Sequence, residues 1–203
     1  MMAPTHVGAG IALAAPVALL TPELAPLVVV AAVAGSVFPD LDMVAGEHRR
    51  TLHAVEAYAL LAVLATFAAV VAPSAPAVAA ATFFVAAALH PLFDLAGGSS
   101  EARPWEAATD HGVYLRSREA WVAPKRWIRY DGAPEDLALA VVLVAPGLVV
   151  FGEGVRAFAL GTLVVGAGYA LCRKRIPQLS GRVNLPVPPV LTAVVALVSL
   201  FRR

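Results

Sequence analysis

Seven apolar stretches constrain what this chain can fold into. Two of them, residues 54–72 and 76–95, have the length of roughly 17–25 residues that a helix needs to cross a bilayer. The other five are shorter or interrupted: 7–20, 24–38, 137–151, 155–172 and 185–201. Charged residues make up 14% of the chain, against about 25% in an ordinary soluble domain. We therefore predict an all-α, polytopic integral membrane helix bundle with six or seven spans.

For three of these stretches, prolines or the N-terminal residues bear on whether the stretch forms an intact span and is retained. Pro146 should bend or break 137–151, because a proline inside a helix removes a hydrogen bond and clashes with the preceding turn. Prolines also begin 185–201, which leaves open whether this stretch crosses the membrane. No Lys or Arg precedes 7–20, unlike in a secretory signal, so we expect this stretch to be retained.

The chain divides into three parts by composition. Residues 1–95 form a predicted four-span half, residues 96–136 a polar loop, and residues 137–203 two or three further spans. The loop contains all three tryptophans, interleaved with tyrosines and basic residues. Because Trp, Tyr and basic residues favour the headgroup layer, we predict an amphipathic cytoplasmic loop on the membrane surface, either as a substrate-contacting lid or as a plain anchor. Whether His111 in this loop reaches the site is left open.

Positive charge is distributed unevenly between the two sides of the predicted bundle. If successive spans alternate, three basic residues face one side: Arg156, Arg202 and Arg203. The other twelve face the side of the N-terminus: Arg49, Arg50, Arg103, Arg116, Arg118, Lys125, Arg126, Arg129, Arg173, Lys174, Arg175 and Arg182. Since cytoplasmic loops carry the excess of Lys and Arg, we predict a multi-pass protein of the inner cell membrane with a cytoplasmic N-terminus.

Overall charge and cysteine content exclude several classes of function. Fifteen Lys and Arg residues nearly balance fourteen Asp and Glu residues, so nothing favours nucleic-acid binding. The single cysteine, Cys172, excludes an internal disulfide and any CxxC metal site. The predicted partners are membrane lipids and an amphiphilic substrate, and the oligomeric state is not predicted.

Ionisable residues of the first half gather at the ends of its four predicted spans. In chain order they are His6, Asp40, Asp42, His48, His53, Glu56, His90 and Asp94. They follow the pattern start, end, start, end, so alternating spans place them all on the cytoplasmic side. Polar groups at membrane spans are costly and are functional by default. The pattern therefore predicts one shared site at that face.

The residue types at this face are typical of a metal site. Imidazole nitrogens combined with carboxylate oxygens bind zinc, manganese or iron. His90 and Asp94 are four residues apart on one helix face and could bind one ion together. A polar pair that joins two helices is the alternative for His90 and Asp94, and turn chemistry after proline is the alternative for Asp40 and Asp42.

The order of these residues resembles the membrane-bound metal-dependent hydrolases, also called the YdjM-like family. That family has an early His, a PDxD ending the second span, an HRxxxH before the third and an HxxxD ending the fourth. The corresponding residues here are His6, Pro39 to Asp42, His48 to His53, and His90 to Asp94. The resemblance covers roughly residues 3–98, and Arg50 and Leu52 stand where the family usually has glycine and threonine.

A more distant similarity is to zinc-dependent phospholipase C and P1-type nucleases. Their ligands run His, Asp, His, HxxxD, His, HxxxE, and this chain reproduces the first part of that order without the closing HxxxE. The similarity implies one or two ions rather than three. Zinc is the metal we expect, with manganese or iron as alternatives.

Together these patterns predict a membrane-embedded hydrolase that uses metal-activated water on a phosphoester or lipid-like substrate. We expect one ion on Asp40 or Asp42 with His53, His90 and Asp94, while His6 and His48 complete the shell or bind a second ion. The spare carboxylate of the Asp40 and Asp42 pair is the predicted general base, and Glu56 is a second-shell partner or base. Arg49 and Arg50 either clamp a phosphate or only set orientation. A transporter and a non-catalytic, metal-stabilised scaffold are the alternative functions.

Overall fold

The computed structural model describes residues 1–180, apart from the side chains of Ala45, Leu179 and Ser180. This part of the chain is mostly helical, as predicted from the apolar stretches. The predicted stretch 185–201, together with Arg182, Arg202 and Arg203, lies outside the described residues.

The first two helices form a tight hairpin. Helix α1 (Ala3–Leu20), with Thr21 as its C-cap, is followed by a 3-10 turn (Pro22–Leu24) and helix α2 (Ala25–Val37). Gly10 lets the two backbones approach, because a Cβ at Gly10 would lie 2.8 Å from the carbonyl oxygen of Ala32. Small residues thus permit the close packing of α1 on α2.

A short 3-10 turn (Phe38–Leu41) continues α2 into helix α3 (Asp42–Ala45). An irregular segment then leads to helix α4 (Val55–Val71), which is followed by helix α5 (Ala75–Ala96). Helix α5 packs against both α4 and α2. This packing brings the C-terminal ends of α2 and α5 beside the N-terminal end of α4.

The polar segment after α5 contains a small β-hairpin, which the sequence did not predict. Strand β1 (Val113–Leu115) pairs antiparallel with strand β2 (Ala120–Val122), with Tyr114 opposite Trp121. Past the hairpin, backbone N–H groups of Lys125, Arg126 and Ile128 donate to the carbonyls of Leu95, Gly97 and Ala96 over 2.7, 3.0 and 3.1 Å. These bonds satisfy carbonyls at the end of α5, which would otherwise lack helical partners.

Three further helices of the described residues follow the polar segment, and the first two of them pack against α1. They are α6 (Pro134–Val149), α7 (Glu153–Cys172) and α8 (Ile176–Ser180), with a 3-10 turn (Arg173–Arg175) before α8. Pro146 lies inside α6, and the helix continues past it to Val149, so it does not break the element. Ile11 of α1 is fully buried in a core of small and aliphatic side chains with Val28 and Val144.

Four helical segments among the described residues are long and apolar enough to cross a membrane. They are Ala3–Leu20, Pro22–Val44, Ala75–Ala96 and Glu153–Gln178. Helix α4 is apolar but shorter, with 17 residues. Large apolar side chains such as Phe67, Val142 and Val164 are exposed on the outer surfaces of the helices. Several helices could therefore span a membrane and present apolar surface to lipid.

Candidate metal centre

Four predicted site residues converge where α2, α4 and α5 meet. Asp40 lies in the 3-10 turn after α2, His53 lies just before α4, and His90 and Asp94 lie one turn apart on α5. Each contributes one ligand atom, and the four atoms lie within 4.8 Å of one another. His53, His90 and Asp94 are fully buried, whereas the Asp40 side chain is 21% exposed. This buried His and Asp group could hold a metal ion.

The distances between these atoms match those expected around one tetrahedral ion. His53 Nε2 lies 3.1 Å from His90 Nε2 and 3.2 Å from Asp94 Oδ2, and His90 Nε2 lies 3.4 Å from Asp94 Oδ2. Asp40 Oδ1 lies 3.3 Å from His90 Nε2 and 3.7 Å from His53 Nε2. Zinc ligands at roughly 2.0–2.1 Å in a tetrahedron are roughly 3.3–3.4 Å apart. The donor set therefore fits zinc in both chemistry and spacing.

Hydrogen bonds behind the two histidines orient their lone pairs toward the centre. His53 Nδ1 lies 2.8 Å from Asp42 Oδ2, and His90 Nδ1 lies 2.6 Å from the Ser36 carbonyl oxygen. These oxygens only accept hydrogen bonds, which assigns the proton of each neutral imidazole to Nδ1. Both Nε2 lone pairs then face the same point, where they repel unless a cation or a proton lies there.

Asp42 supports the centre from behind and is separate from the four converging residues. Its Oδ1 lies 3.0 Å from His48 Nδ1, and its Oδ2 accepts from His53 and from the backbone N–H of Leu52 at 3.1 Å. Asp42, His48 and His53 also form a second group that could hold an ion. In the structure these atoms are joined by hydrogen bonds, and both carboxylate oxygens of Asp42 have partners.

The surroundings of His53 favour the protonated form of its imidazole. Burial opposes its protonation, but its hydrogen bonds with Asp42 and Asp94 outweigh burial and raise the pKa of the imidazole above its ordinary value. The two carboxylates therefore favour positive charge at this position, whether on the ring or on a bound ion.

His6 lies beside the four residues rather than among them. Its ring stacks on His90 with centroids 3.6 Å apart, and its Nε2 lies 3.3 Å from Asp94 Oδ1, the carboxylate oxygen that faces away from the other histidines. The amino group of Met1 also donates to this oxygen. Among the described residues, His6 Nδ1 has no hydrogen-bond partner. His6 therefore braces His90 and Asp94 from one side.

Arg49 is a buried part of the site whose structural role the sequence analysis missed. Its backbone is left-handed with φ 62°, and the side chain turns inward. Nη1 donates to the Gly98 carbonyl at 2.6 Å, and Nη2 donates to Asp94 Oδ1 at 3.3 Å. The adjacent Arg50 is exposed and pairs with Glu47. The sequence feature that could have indicated this role is the position of Arg49 next to His48 in the HRxxxH motif.

Two other candidate residues lie on the β-hairpin side, outside the four-residue group. The Glu56 carboxylate accepts from the backbone N–H and the hydroxyl of Ser117 at 3.1 and 2.8 Å. His111 stacks on Trp121 with ring centroids 4.4 Å apart. Glu56 thus ties α4 to the hairpin, and His111 packs within the polar segment.

A cavity of about 570 Å³ opens beside the centre. Asp40, His48 and Arg49 line it, whereas the fully buried His53, His90 and Asp94 do not. Of the four converging residues, Asp40 is therefore the one that reaches the cavity wall.

Comparisons with known proteins leave the geometry as the basis for assigning a function. No family model, no curated protein and no solved structure matches this chain.

Proposed function

We propose that this protein is a membrane-embedded, metal-dependent hydrolase that acts on a phosphoester or lipid-like substrate. The observation that carries the proposal is the near-tetrahedral set of Asp40, His53, His90 and Asp94, with both imidazole lone pairs directed inward. We further propose membership of the YdjM-like family, which the order of the site residues supports.

A bound metal ion would lower the pKa of a coordinated water, so that this water would be a nucleophile near neutral pH. His53, His90 and Asp94 would hold the ion from the buried side, with zinc preferred over manganese or iron. Asp40 Oδ1 lies 3.3 Å from His90 Nε2 and would be the ligand atom, which would leave Oδ2 for another role. We assign Oδ2 the role of accepting the proton that the attacking water gives up, because Asp40 alone of the four lines the cavity.

The membrane arrangement in this proposal is a bundle of six or seven spans with the centre on the cytoplasmic face of the inner membrane. The four apolar segments of sufficient length support it, as does the excess of basic residues on the side of the N-terminus. The segment 96–136 then lies over the site at the cytoplasmic surface, since its backbone bonds directly to the end of α5.

A metal-stabilised scaffold is the second candidate function, and one observation favours it. Four protein ligands in a tetrahedron complete the usual shell of a structural zinc site, whereas catalytic sites keep a position open. Asp40 argues for catalysis, because it is partly exposed and beside a cavity, where a fifth ligand can approach. A transporter has less support, since the ionisable groups gather at helix ends rather than near the middle of the spans.

Metal analysis combined with hydrolysis distinguishes these functions. We expect purified protein to contain at least about one zinc per chain and to hydrolyse bis-p-nitrophenyl phosphate. His90→Ala should lose both properties, whereas His111→Ala, whose ring stacks on Trp121 and is not one of the four converging residues, should keep both. Metal without hydrolysis by the wild type supports the scaffold, and full metal content in His90→Ala contradicts the site.

A further inference from the structure

The cavity beside the centre has two kinds of wall. At one end Asp40, His48 and Arg49 present polar groups. Elsewhere the lining combines apolar residues, among them Met43 of α3 and Val165 of α7, with the polar residues Ser99, Ser100, Glu101, Asp131, Tyr169 and Arg173, and most of its exposed surface is apolar. A site with one polar end and apolar walls fits a ligand with the same division.

The apolar walls are continuous with the outer surface of the helices. Met43 is 68% exposed and Val165 is 64% exposed, although both line the cavity. Met43 lies in the segment Pro22–Val44 and Val165 in Glu153–Gln178, both long and apolar enough to cross a membrane. The cavity therefore connects the centre with a surface that the proposed membrane arrangement exposes to lipid.

A buried ion pair fixes part of the cavity wall. Arg173 lines the cavity, is nearly fully buried, and donates from Nε to Asp131 Oδ2 at 2.8 Å and from Nη1 to the Ala102 carbonyl at 3.1 Å. The Tyr169 hydroxyl donates to the same Asp131 oxygen. These bonds tie α7 to the polar segment, so the cavity is a built feature of the fold.

We propose that this cavity binds a single-chain amphiphile with a phosphate-ester head. The head lies at Asp40, His48 and Arg49, and the alkyl chain follows Met43 and Val165. The inference rests on the proposed function and narrows its substrate class. The volume of about 570 Å³ is within the roughly 300–1,000 Å³ of ligand sites and exceeds what a free phosphate fills. A small water-soluble ester would leave the apolar walls without contacts.

Binding of two phosphonates tests the inference without turnover. Ethylphosphonate and hexylphosphonate share the anionic head, and neither has an ester bond to hydrolyse. Each methylene buried from water raises affinity by roughly fourfold, so we expect hexylphosphonate to bind the zinc-loaded protein in nanodiscs about tenfold more tightly or better. Calorimetric titration measures both affinities, and empty nanodiscs correct for partitioning into lipid.

Two pairs of variants test whether the alkyl chain of the ligand lies along the apolar walls of the cavity. Val165→Trp and Met43→Trp place a large side chain in the space along the apolar walls, so each should abolish the preference for hexylphosphonate. Val164→Trp and Val44→Trp are matched controls, because these neighbours are exposed and are not among the residues that line the cavity. The controls should keep the preference.

Three results would overturn the inference: equal affinity of the wild type for the two phosphonates, a preference that survives both cavity variants, and loss of preference in the controls as well. A site that recognises only the anionic head, as it would free phosphate, gives the first result. Tail-dependent binding supports the inference whether or not hydrolysis is detected, so its failure is distinct from failure of the proposed function.

Discussion

His53 Nε2 and His90 Nε2 lie 3.1 Å apart, although 37 positions separate the two residues in the chain. Each ring donates its Nδ1 proton to an oxygen behind it, so the two facing nitrogens are both acceptors when the rings are neutral. Such a contact is stable only when a positive charge lies between or beside the nitrogens. The carboxylates of Asp40 and Asp94 complete a surrounding that favours a divalent cation.

Removal of the ion should lower the stability of the fold. A ligand present at about 100 times its Kd adds about 2.7 kcal/mol to the free energy of unfolding, and this contribution disappears on chelation. We expect Tm to fall when a chelator is added and to recover with zinc. His90→Ala, measured in parallel, should show no zinc-dependent change in Tm, and an equal change in this variant would contradict the four-residue site.

Asp42→Asn should weaken metal binding although Asp42 is not one of the four ligands. The variant loses the anionic acceptor that holds His53 Nδ1, and loss of such an outer partner typically costs roughly 10–100-fold in metal affinity. Competition with a chromogenic chelator measures the change. Asp110→Asn, which alters an exposed ion pair with Arg126, is the matched control and should bind zinc like the wild type. Unchanged zinc affinity in Asp42→Asn would show that the charged hydrogen bond between His53 Nδ1 and Asp42 does not contribute to metal binding.

Arg49→Gln should make the protein depend more strongly on the ion. Arg49 pairs with the buried carboxylate of Asp94, and breaking a buried pair costs roughly 3–5 kcal/mol because one charge stays uncompensated. A bound cation offsets part of that charge, so zinc should raise the Tm of Arg49→Gln by more than it raises that of the wild type. Arg50→Gln removes an exposed pair with Glu47 and a cation–π contact with Tyr114, neither of which involves Asp94, and it should leave the zinc response unchanged. Identical responses in all three proteins would argue against a role for Arg49 at Asp94.

Gly35→Ala should damage both the fold and the centre. A Cβ at Gly35 would lie 2.1 Å from the carbonyl oxygen of Phe83, which forces α2 away from α5 and moves the Ser36 carbonyl off His90. Overpacking of this kind costs roughly 1–3 kcal/mol or more. We expect a lower Tm and a lower zinc content in the purified variant.

Gly161→Ala is the control for this substitution, since no atom of the described residues lies within 4 Å of a Cβ at that position in α7. It should be neutral or stabilising by up to about 1 kcal/mol, because alanine is the better helix former. Equal zinc content and Tm in the two variants would show that α2 and α5 are less tightly packed than the structure indicates.

Glu56→Gln tests the predicted role of Glu56 as a base. The carboxylate is committed to Ser117 on the hairpin, so the variant should retain kcat/KM for the phosphodiester within about twofold. Asp40→Asn should lose about 100-fold or more, because general-base catalysis contributes roughly 10²–10⁴-fold. A large loss of kcat with unchanged zinc content in Glu56→Gln would restore it as a catalytic residue.

Much of the architecture could be read from the chain. Long apolar stretches predict helices, because in a bilayer there is no water to bond the backbone groups, which must bond to one another. The four polar motifs at alternate helix ends predict one shared face, and the four converging residues all come from those motifs. The i, i+4 spacing of His90 and Asp94 likewise places both on one side of α5.

The division of roles within each motif follows from the folded structure. Asp40 and Asp42 are two residues apart, yet Asp40 faces the cavity and Asp42 lies behind His53, because a 3-10 turn separates their directions. The β-hairpin has strands of only three residues, too short for an alternating pattern to predict.

The inward turn of Arg49 depends on a left-handed backbone and on the Gly98 carbonyl, 49 positions away. Local patterns encode helices since their bonds are local, whereas a metal centre depends on the relative positions of helix ends. Those positions are set by packing between residues far apart in the chain.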